Sequence, residues 1–178
     1  RRLRSVKDAR EFAREVGYPL VLKPPAGAGA RSTWRVKDAD GLERALVALQ
    51  PSPGREVLAE EFLRGREYSF ETVTIDGEPR FHSISRYLPT PLEVLENPWI
   101  QWACVLPRDI SGPEFDDARE LGFATIKALG LRTAITHMEW FRRDDGSLAV
   151  GEIAMRPPGA QITEMTGFAH NMDFKRAW

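Results

Sequence analysis

The feature that most restricts this chain is Asp144-Asp145-Gly146, set between two alternating runs, Ile135–Arg143 and Ser147–Ala154. Asp-Gly between such runs is a strong hairpin signal, because a type I′ turn needs positive φ at both central residues. With Asp145-Gly146 as a two-residue loop, Asp144 pairs with Ser147 and the register of both strands follows. Glu139 then stands opposite Glu152, His137 opposite Ala154 and Phe141 opposite Val150. The other face pairs Met138 with Ile153 and Trp140 with Gly151, which suits a core. Two carboxylates about 5 Å apart across a ladder repel, and one pKa rises unless a cation lies between them. A hard divalent ion with oxygen ligands, Mg2+ or Mn2+, is the natural neutraliser. The plain alternative is that both acids face solvent, and a three-residue loop would break their opposition.

Working outward, Ser5-Val6-Lys7-Asp8 reads as a helix N-cap with an acidic third position, and the helix runs to Val16 before Gly17. Pro19–Lys23 is a short apolar strand ended by Pro24-Pro25. A glycine-rich loop follows over residues 26–32, then a strand at Thr33–Val36 and a helix over 40–49. Val57–Leu63 and Arg66–Ile75 read as strands, and Asp76-Gly77 turns the chain into a return strand at Pro79–Tyr87. Residues 88–98 read as a proline-rich loop, and Gln101–Leu106 as a strand. Ser111-Gly112-Pro113-Glu114 reads as a second capping box, opening a helix that stops before Gly130. A short helix starts near Ile162. This order predicts an α+β fold in two lobes, residues 1–64 and 65–178, joined near 60–66.

Composition removes whole classes of function. Twenty-five basic against 26 acidic residues leave a formal charge of -1, which gives no footprint for nucleic acid or an anionic membrane. No apolar run approaches the roughly 20 residues of a membrane helix. One cysteine, Cys104, excludes an intramolecular disulfide framework and fits a cytoplasmic protein; its bland reading is a small core residue. The opening Arg1-Arg2-Leu3-Arg4 is no signal peptide, and both ends read as cut from a longer protein.

Three further features carry chemistry. Lys23 ends a strand directly before glycines 27 and 29, where its ammonium and the loop's backbone N–H groups suit phosphate oxygens. The lysine precedes the glycines, so this is no Walker A loop; a surface lysine beside a turn is the alternative. The run from Glu60 to Glu67 lies where the lobes join. Its backbone suits an adenine edge, Phe62 or Leu63 a ring face, and a later carboxylate ribose hydroxyls, although charged linkers commonly look the same. Arg156, two residues past Ala154 and before Pro157-Pro158-Gly159, suits phosphate oxygens in flight.

Phosphate lysine, glycine loop, adenine hinge, ribose acid, two metal acids and arginine, in that order, resemble the ATP-grasp superfamily, which includes biotin carboxylase, carbamoyl phosphate synthetase and D-alanine–D-alanine ligase. The matching stretches are Gly17–Pro24, Glu60–Glu67 and Glu152–Gly159, continuing into Ile162–Gly167. The resemblance implies two α+β lobes clasping a nucleotide: a small lid lobe and a large lobe for metal and phosphoryl transfer. Lys23 would bind ATP phosphates, with Gly27, Gly29, Ala30 and Ser32 in a loop closing over them. Glu60 and the backbone of Glu61, Phe62 and Leu63 would hold adenine, and Glu67 the ribose hydroxyls. Glu139 and Glu152 would bind Mg2+, and Arg156 would act with Lys23 on the phosphoryl group. It further implies an ATP-dependent ligase that makes an acyl phosphate from a small-molecule carboxylate for attack by an amine, thiol or other nucleophile, with a homodimer as one option.

Two departures stand out. The family usually places Asn two residues after the second metal acid, and here that position is Ala154. His137 lies across from it, and the imidazole, or water it holds, is a candidate to fill the position; an ordinary sheet-face histidine is the alternative. The family's earlier phosphate-binding lysine and preceding α/β domain would lie before Arg1. The rival functions are a non-catalytic ATP-binding regulatory module, a bicarbonate-activating component like biotin carboxylase, and a metal-dependent hydrolase.

Overall fold

The computed structural model describes residues 1–25 and 33–177, which form two compact units, Arg1–Phe62 and Leu63–Trp178. The division falls between Phe62 and Leu63, against the 64/65 boundary read from the sequence.

The first unit is a four-stranded antiparallel sheet with two helices. Its strands are β1 (Arg2–Leu3), β2 (Leu20–Lys23), β3 (Trp34–Val36) and β4 (Val57–Glu61), in the order β1-β4-β2-β3. The edge strand β1 has no signal of its own in the sequence; it exists because Arg2 and Leu3 pair with Leu58 and Val57. Helix α1 (Val6–Val16) begins at Ser5, whose hydroxyl accepts from the Asp8 N–H, and ends at Gly17 with φ 81°. Asp38 caps α2 (Ala39–Leu49) by accepting from the Gly41 N–H at 2.7 Å. Leu42, Ala45, Leu46 and Leu49 lie along one stripe of α2 and meet Leu20, Leu22, Val57 and Ala59 in a single apolar core. Alternation therefore turns Val21, Lys23, Leu58 and Glu60 to the other face of the sheet.

The second unit is a five-stranded antiparallel sheet: β5 (Arg66–Ile75), β6 (Glu78–Leu88), β7 (Ala103–Val105), β8 (Ala134–Arg142) and β9 (Leu148–Ala154), in the order β7-β6-β5-β8-β9. One face is apolar. Phe70, Ile84, Met138 and Trp140 are buried there with Ala118 of α4 (Asp116–Ala128), and Tyr68 stacks on Trp140 with ring centroids 4.5 Å apart. Residues 88–98 differ from the expected loop: Pro91–Glu96 form helix α3, begun by Thr90, which accepts from the Glu93 N–H, with Pro91 in the first turn. The expected capping box at 111–114 is also corrected. Ser111 turns back and donates to Asp109 at 2.7 Å, and a 3₁₀ turn at Pro113–Phe115 leads into α4 without a side-chain cap. Helices α5 (Ile162–His170) and α6 (Phe174–Ala177) end the chain.

The hairpin register is reached by a route the sequence does not announce. The loop has three residues: Arg143 N–H donates to Ser147 O at 2.9 Å, Gly146 N–H donates to Arg143 O at 2.9 Å, and Gly146 has φ 85°. Arg142 therefore faces Leu148, Phe141 faces Ala149 and Trp140 faces Val150, which corrects the expected pairs Phe141–Val150 and Trp140–Gly151. Continued regularly, this register would set Glu139 against Gly151 and turn Glu152 to the apolar face. A bulge between Glu139 and Trp140 takes up Gly151 as an extra residue, and beyond it Glu139 faces Glu152, Met138 faces Ile153 and His137 faces Ala154. The two one-residue departures cancel.

The apolar face depends on a close helix–sheet approach at Gly122 of α4, where an added Cβ would fall inside the van der Waals envelope of the Phe70 ring. Phe70 is 1% exposed and has nowhere to go. Helix propensity favours Ala over Gly by about 1 kcal/mol, whereas overpacking a tight core costs about 1–3 kcal/mol or more. Gly122→Ala is predicted to destabilise the protein by about 1–2 kcal/mol in a denaturant titration, despite the gain in helix propensity. A more stable variant would contradict this packing.

Candidate functional site

In the first unit, Lys23 reaches the outer face at the end of β2, and its Nζ lies 3.1 Å from Glu60 Oε2 of β4. Val21 is the direct partner of Glu60, so Lys23, two residues along, is its diagonal neighbour. The Lys23 side chain is 18% exposed, shielded enough for its charge to act strongly on a nearby anion. Phe62 lies under the guanidinium of Arg35 from β3, 4.2 Å above the ring centroid. Glu61 is exposed, and Leu63 opens the second unit. The expected glycine-loop residues Gly27, Gly29, Ala30 and Ser32 lie outside the described residues.

In the second unit, the face opposite the core is lined with polar groups. From β5 come Glu67, Ser69 and Glu71, all buried; from β6 come Ser83, Ser85 and Tyr87; from β8 come His137 and Glu139; from β9 comes Glu152. The strands stack them in rows: Ser85, Ser69, Glu139 and Glu152 in one, and Ser83, Glu71, His137 and Ala154 in the next. Within the second row the contacts are continuous. Ser83 Oγ donates to Glu71 Oε2 at 3.2 Å, and His137 Nδ1 lies 2.9 Å from Glu71 Oε1. His137 Nε2 then lies 3.6 Å from Glu139 Oε1. The Ser69 and Ser85 hydroxyls touch beside this row.

Electrostatics follow from two buried acids, Glu67 and Glu71, beside a partly exposed Glu139 and an exposed Glu152. Burial, reinforced by the charge of Glu139 and opposed by His137, pushes the Glu67 carboxyl up to about 8. Burial disfavours the His137 cation, but Glu139 and Glu71 outweigh it and raise the imidazole to about 9. Burial likewise holds the Tyr87 hydroxyl and the Cys104 thiol protonated; Cys104 is half-buried on β7 beside Tyr87, not in the apolar core. Protonated His137 therefore partly neutralises the carboxylates. Among the described residues, no three His, Cys, Asp or Glu side chains converge into a ready-made metal cage. The donors present are carboxylate oxygens on neighbouring strands, which suit a hard divalent cation that keeps part of its water or shares an anionic ligand.

Arg156 follows β9 in the loop before α5, and its guanidinium donates to the Pro157 carbonyl at 3.0 Å. The structure thus brings Glu67, His137, Glu139 and Glu152 to one face of one sheet, and pairs Lys23 with Glu60 in the other unit. Glu71, Ser69, Ser83 and Ser85 are the members the sequence reading passed over. Their signal was Glu67, Ser69 and Glu71 at the two-residue period of β5, which places three polar side chains on a buried face.

The raised pKa values have a defined consequence for stability. Glu67 and His137 both bind protons more tightly in the folded chain than in the unfolded one, so both lower stability as pH rises. The Glu67 effect runs from 4.5 to about 8 and the His137 effect from 6.5 to about 9. Without divalent cations, urea denaturation is predicted to show a stability loss on the order of 2 kcal/mol between pH 6.5 and 8, where the windows overlap. Glu67→Gln should flatten the slope, and a flat parent profile would contradict the assignment.

Known proteins share this fold. The ATP-grasp domain model matches residues 16–164. The L-arginine-specific L-amino acid ligase of Bacillus subtilis is 30% identical over 166 residues, covering 90% of this chain and 39% of that protein. The crystal structure of the L-amino acid ligase from Bacillus licheniformis superposes with a TM-score of 0.75 at 22% identity, covering 98% of this chain and 42% of the other. The biotin carboxylase domain dimer of Hydrogenobacter thermophilus 2-oxoglutarate carboxylase, in complex with MgADP, ADP and bicarbonate, gives 0.62 at 19% identity, covering 92% of this chain and 36% of the other. The chain therefore spans about two fifths of the length of the two amino acid ligases. With the match running from the end of α1 into α5, this chain belongs to the ATP-grasp family.

Proposed function

We propose that this chain is the nucleotide-binding part of an ATP- and Mg2+-dependent ligase that converts a carboxylate into an acyl phosphate for attack by an amine or a similar nucleophile. The observation that carries the reading is the pair Glu139 and Glu152, opposed across β8 and β9 on a polar sheet face. The amino acid ligases are named for joining amino acids, and the 2-oxoglutarate carboxylase domain was solved with MgADP; these support the substrate class and the cofactor pair.

In this reading the first unit serves the phosphates and most of the adenine contacts. Lys23 exchanges its pairing with Glu60 for phosphate oxygens, helped by the loop containing Gly27, Gly29, Ala30 and Ser32. Glu60, with the backbone of Glu61, Phe62 and Leu63, holds adenine. In the second unit, a Glu67 carboxyl with its pKa near 8 takes the ribose hydroxyls, accepting from one as the carboxylate or donating to it as the acid. Glu139 and Glu152 would hold the divalent ion, which when bound neutralises charge on the transferring phosphoryl group. Arg156 sits four residues past Glu152, so its guanidinium is available to oxygens of the same group. His137 stands beside Glu139 and is retained as a candidate member of the metal shell. Catalysis is then positioning plus charge neutralisation, with little covalent work for the protein.

A reducing cytoplasm suits the single cysteine, and no helix among the described residues is long and apolar enough to cross a membrane. The bicarbonate-activating alternative draws its support from the MgADP and bicarbonate complex.

The test is ADP release by the full-length protein with paired amino acids or other carboxylates and amines. Release that needs both a carboxylate and a nucleophile supports the ligase; release with bicarbonate alone supports the carboxylase reading; nucleotide binding without release contradicts catalysis. Glu152→Gln is predicted to lower turnover at least about 100-fold while leaving the melting temperature unchanged or raised, because one of two like charges across the ladder is removed. A large fall in melting temperature would make Glu152 a structural residue.

A further inference from the structure

Glu71 is a fully buried acid that the proposed chemistry does not use. It is 1% exposed in the centre of β5, and both carboxylate oxygens are engaged, Oε2 by the Ser83 hydroxyl and Oε1 by His137 Nδ1. Burying a carboxylate costs several kcal/mol unless it is well paired, and an apolar residue of similar volume would serve the fold as well or better. Its placement is therefore informative. On the β9 side, the partner of His137 is Ala154, which offers only a methyl group. The hydrogen bond that holds the ring comes from the other side: Glu71 grips Nδ1, and Ser83 in turn fixes Glu71. With Nδ1 held, Nε2 lies toward Glu139 in the neighbouring row, 3.6 Å from its Oε1. That separation is long for a hydrogen bond and short enough to restrict where the Glu139 carboxylate can lie.

We infer that Ser83, Glu71 and His137 form a buried strut that sets the Glu139 carboxylate in place opposite Glu152, making Glu71 a positioning residue for divalent-cation binding. The inference rests on the reading of Glu139 and Glu152 as the cation's acids. It assigns to Glu71 and Ser83, neither of which would contact the cation, a share of its affinity. Second-layer groups that orient ligands commonly contribute 10–100-fold to metal affinity. A glutamine at position 71 preserves the strut, since its carbonyl accepts from His137 Nδ1–H and its amide donates to the Ser83 oxygen. A leucine of similar size does not.

The experiment is an electron paramagnetic resonance titration of free Mn2+ in the presence of ADP, on the full-length parent and its variants, with metal-free ADP binding measured alongside. The expected result is a 10–100-fold weaker Mn2+ affinity for Glu71→Leu, a change within about threefold for Glu71→Gln, and metal-free ADP binding unchanged in both. Equal Mn2+ affinity in a folded Glu71→Leu protein overturns the strut, and so does Glu71→Gln falling as far as Glu71→Leu. If Glu71→Leu does not fold, Ser83→Ala removes the hydroxyl that fixes Glu71 without touching His137 or Glu139, and it should weaken Mn2+ binding in the same direction; unchanged affinity there also overturns the proposal. A parent that binds no Mn2+ with ADP overturns the proposed function and this inference with it. A parent that binds while the variants match it overturns the strut alone.

Discussion

One constraint shapes the polar face of the second unit: the register that sets two acids, Glu139 and Glu152, opposite each other across neighbouring strands. A sheet built for stability alone would not put like charges directly across a ladder, beside two further acids buried on the adjoining strand. The surroundings manage that charge in three ways. His137 lies between Glu71 and Glu139, Glu67 is held near its protonated form, and Glu152 is left exposed at the edge strand. Each device lowers the cost of keeping acids close together on one sheet face. The apolar face behind it, with Phe70 against Gly122 and Tyr68 stacked on Trp140, supplies the rigidity that keeps the acids from separating.

The first unit expresses the same logic with opposite sign. Lys23 sits at the end of a strand whose other face is core, and Glu60 holds its ammonium on the polar side. An ion pair at a partly exposed site contributes little net stability, so Lys23 can exchange Glu60 for a competing anion at small cost. Arg35 over Phe62 likewise presents a flat cationic and aromatic surface at the end of the same sheet.

Much of this was legible in the residues because alternation is strict where one face is buried. Leu20 and Leu22 against Val21 and Lys23, and Met138 and Trp140 against His137 and Glu139, each declare two faces with little ambiguity. The Ser5 and Gly17 caps of α1 were equally clear. The opposition of Glu139 and Glu152 was reached for an incomplete reason: the loop has one residue more than expected and β9 carries one extra at Gly151, so pairs near the turn moved while pairs beyond the bulge did not. Loop length is hard to read from Asp144-Asp145-Gly146, since Gly146 serves a three-residue loop as readily as a two-residue one. Glu71 went unremarked because a single acid in a strand looks solvent-facing until its neighbours Ser83 and His137 are known, and both come from other strands. Helix α3 was hidden by its prolines, which break helices in the interior but start them in the first turn.

The most direct test is where a divalent cation comes to rest. Crystals of the full-length protein grown with ADP and Mn2+ should give an anomalous difference peak coordinated by carboxylate oxygens of both Glu139 and Glu152 and by phosphate oxygens of the nucleotide. A peak that touches neither acid, or nucleotide bound in their absence elsewhere on the chain, would contradict the account.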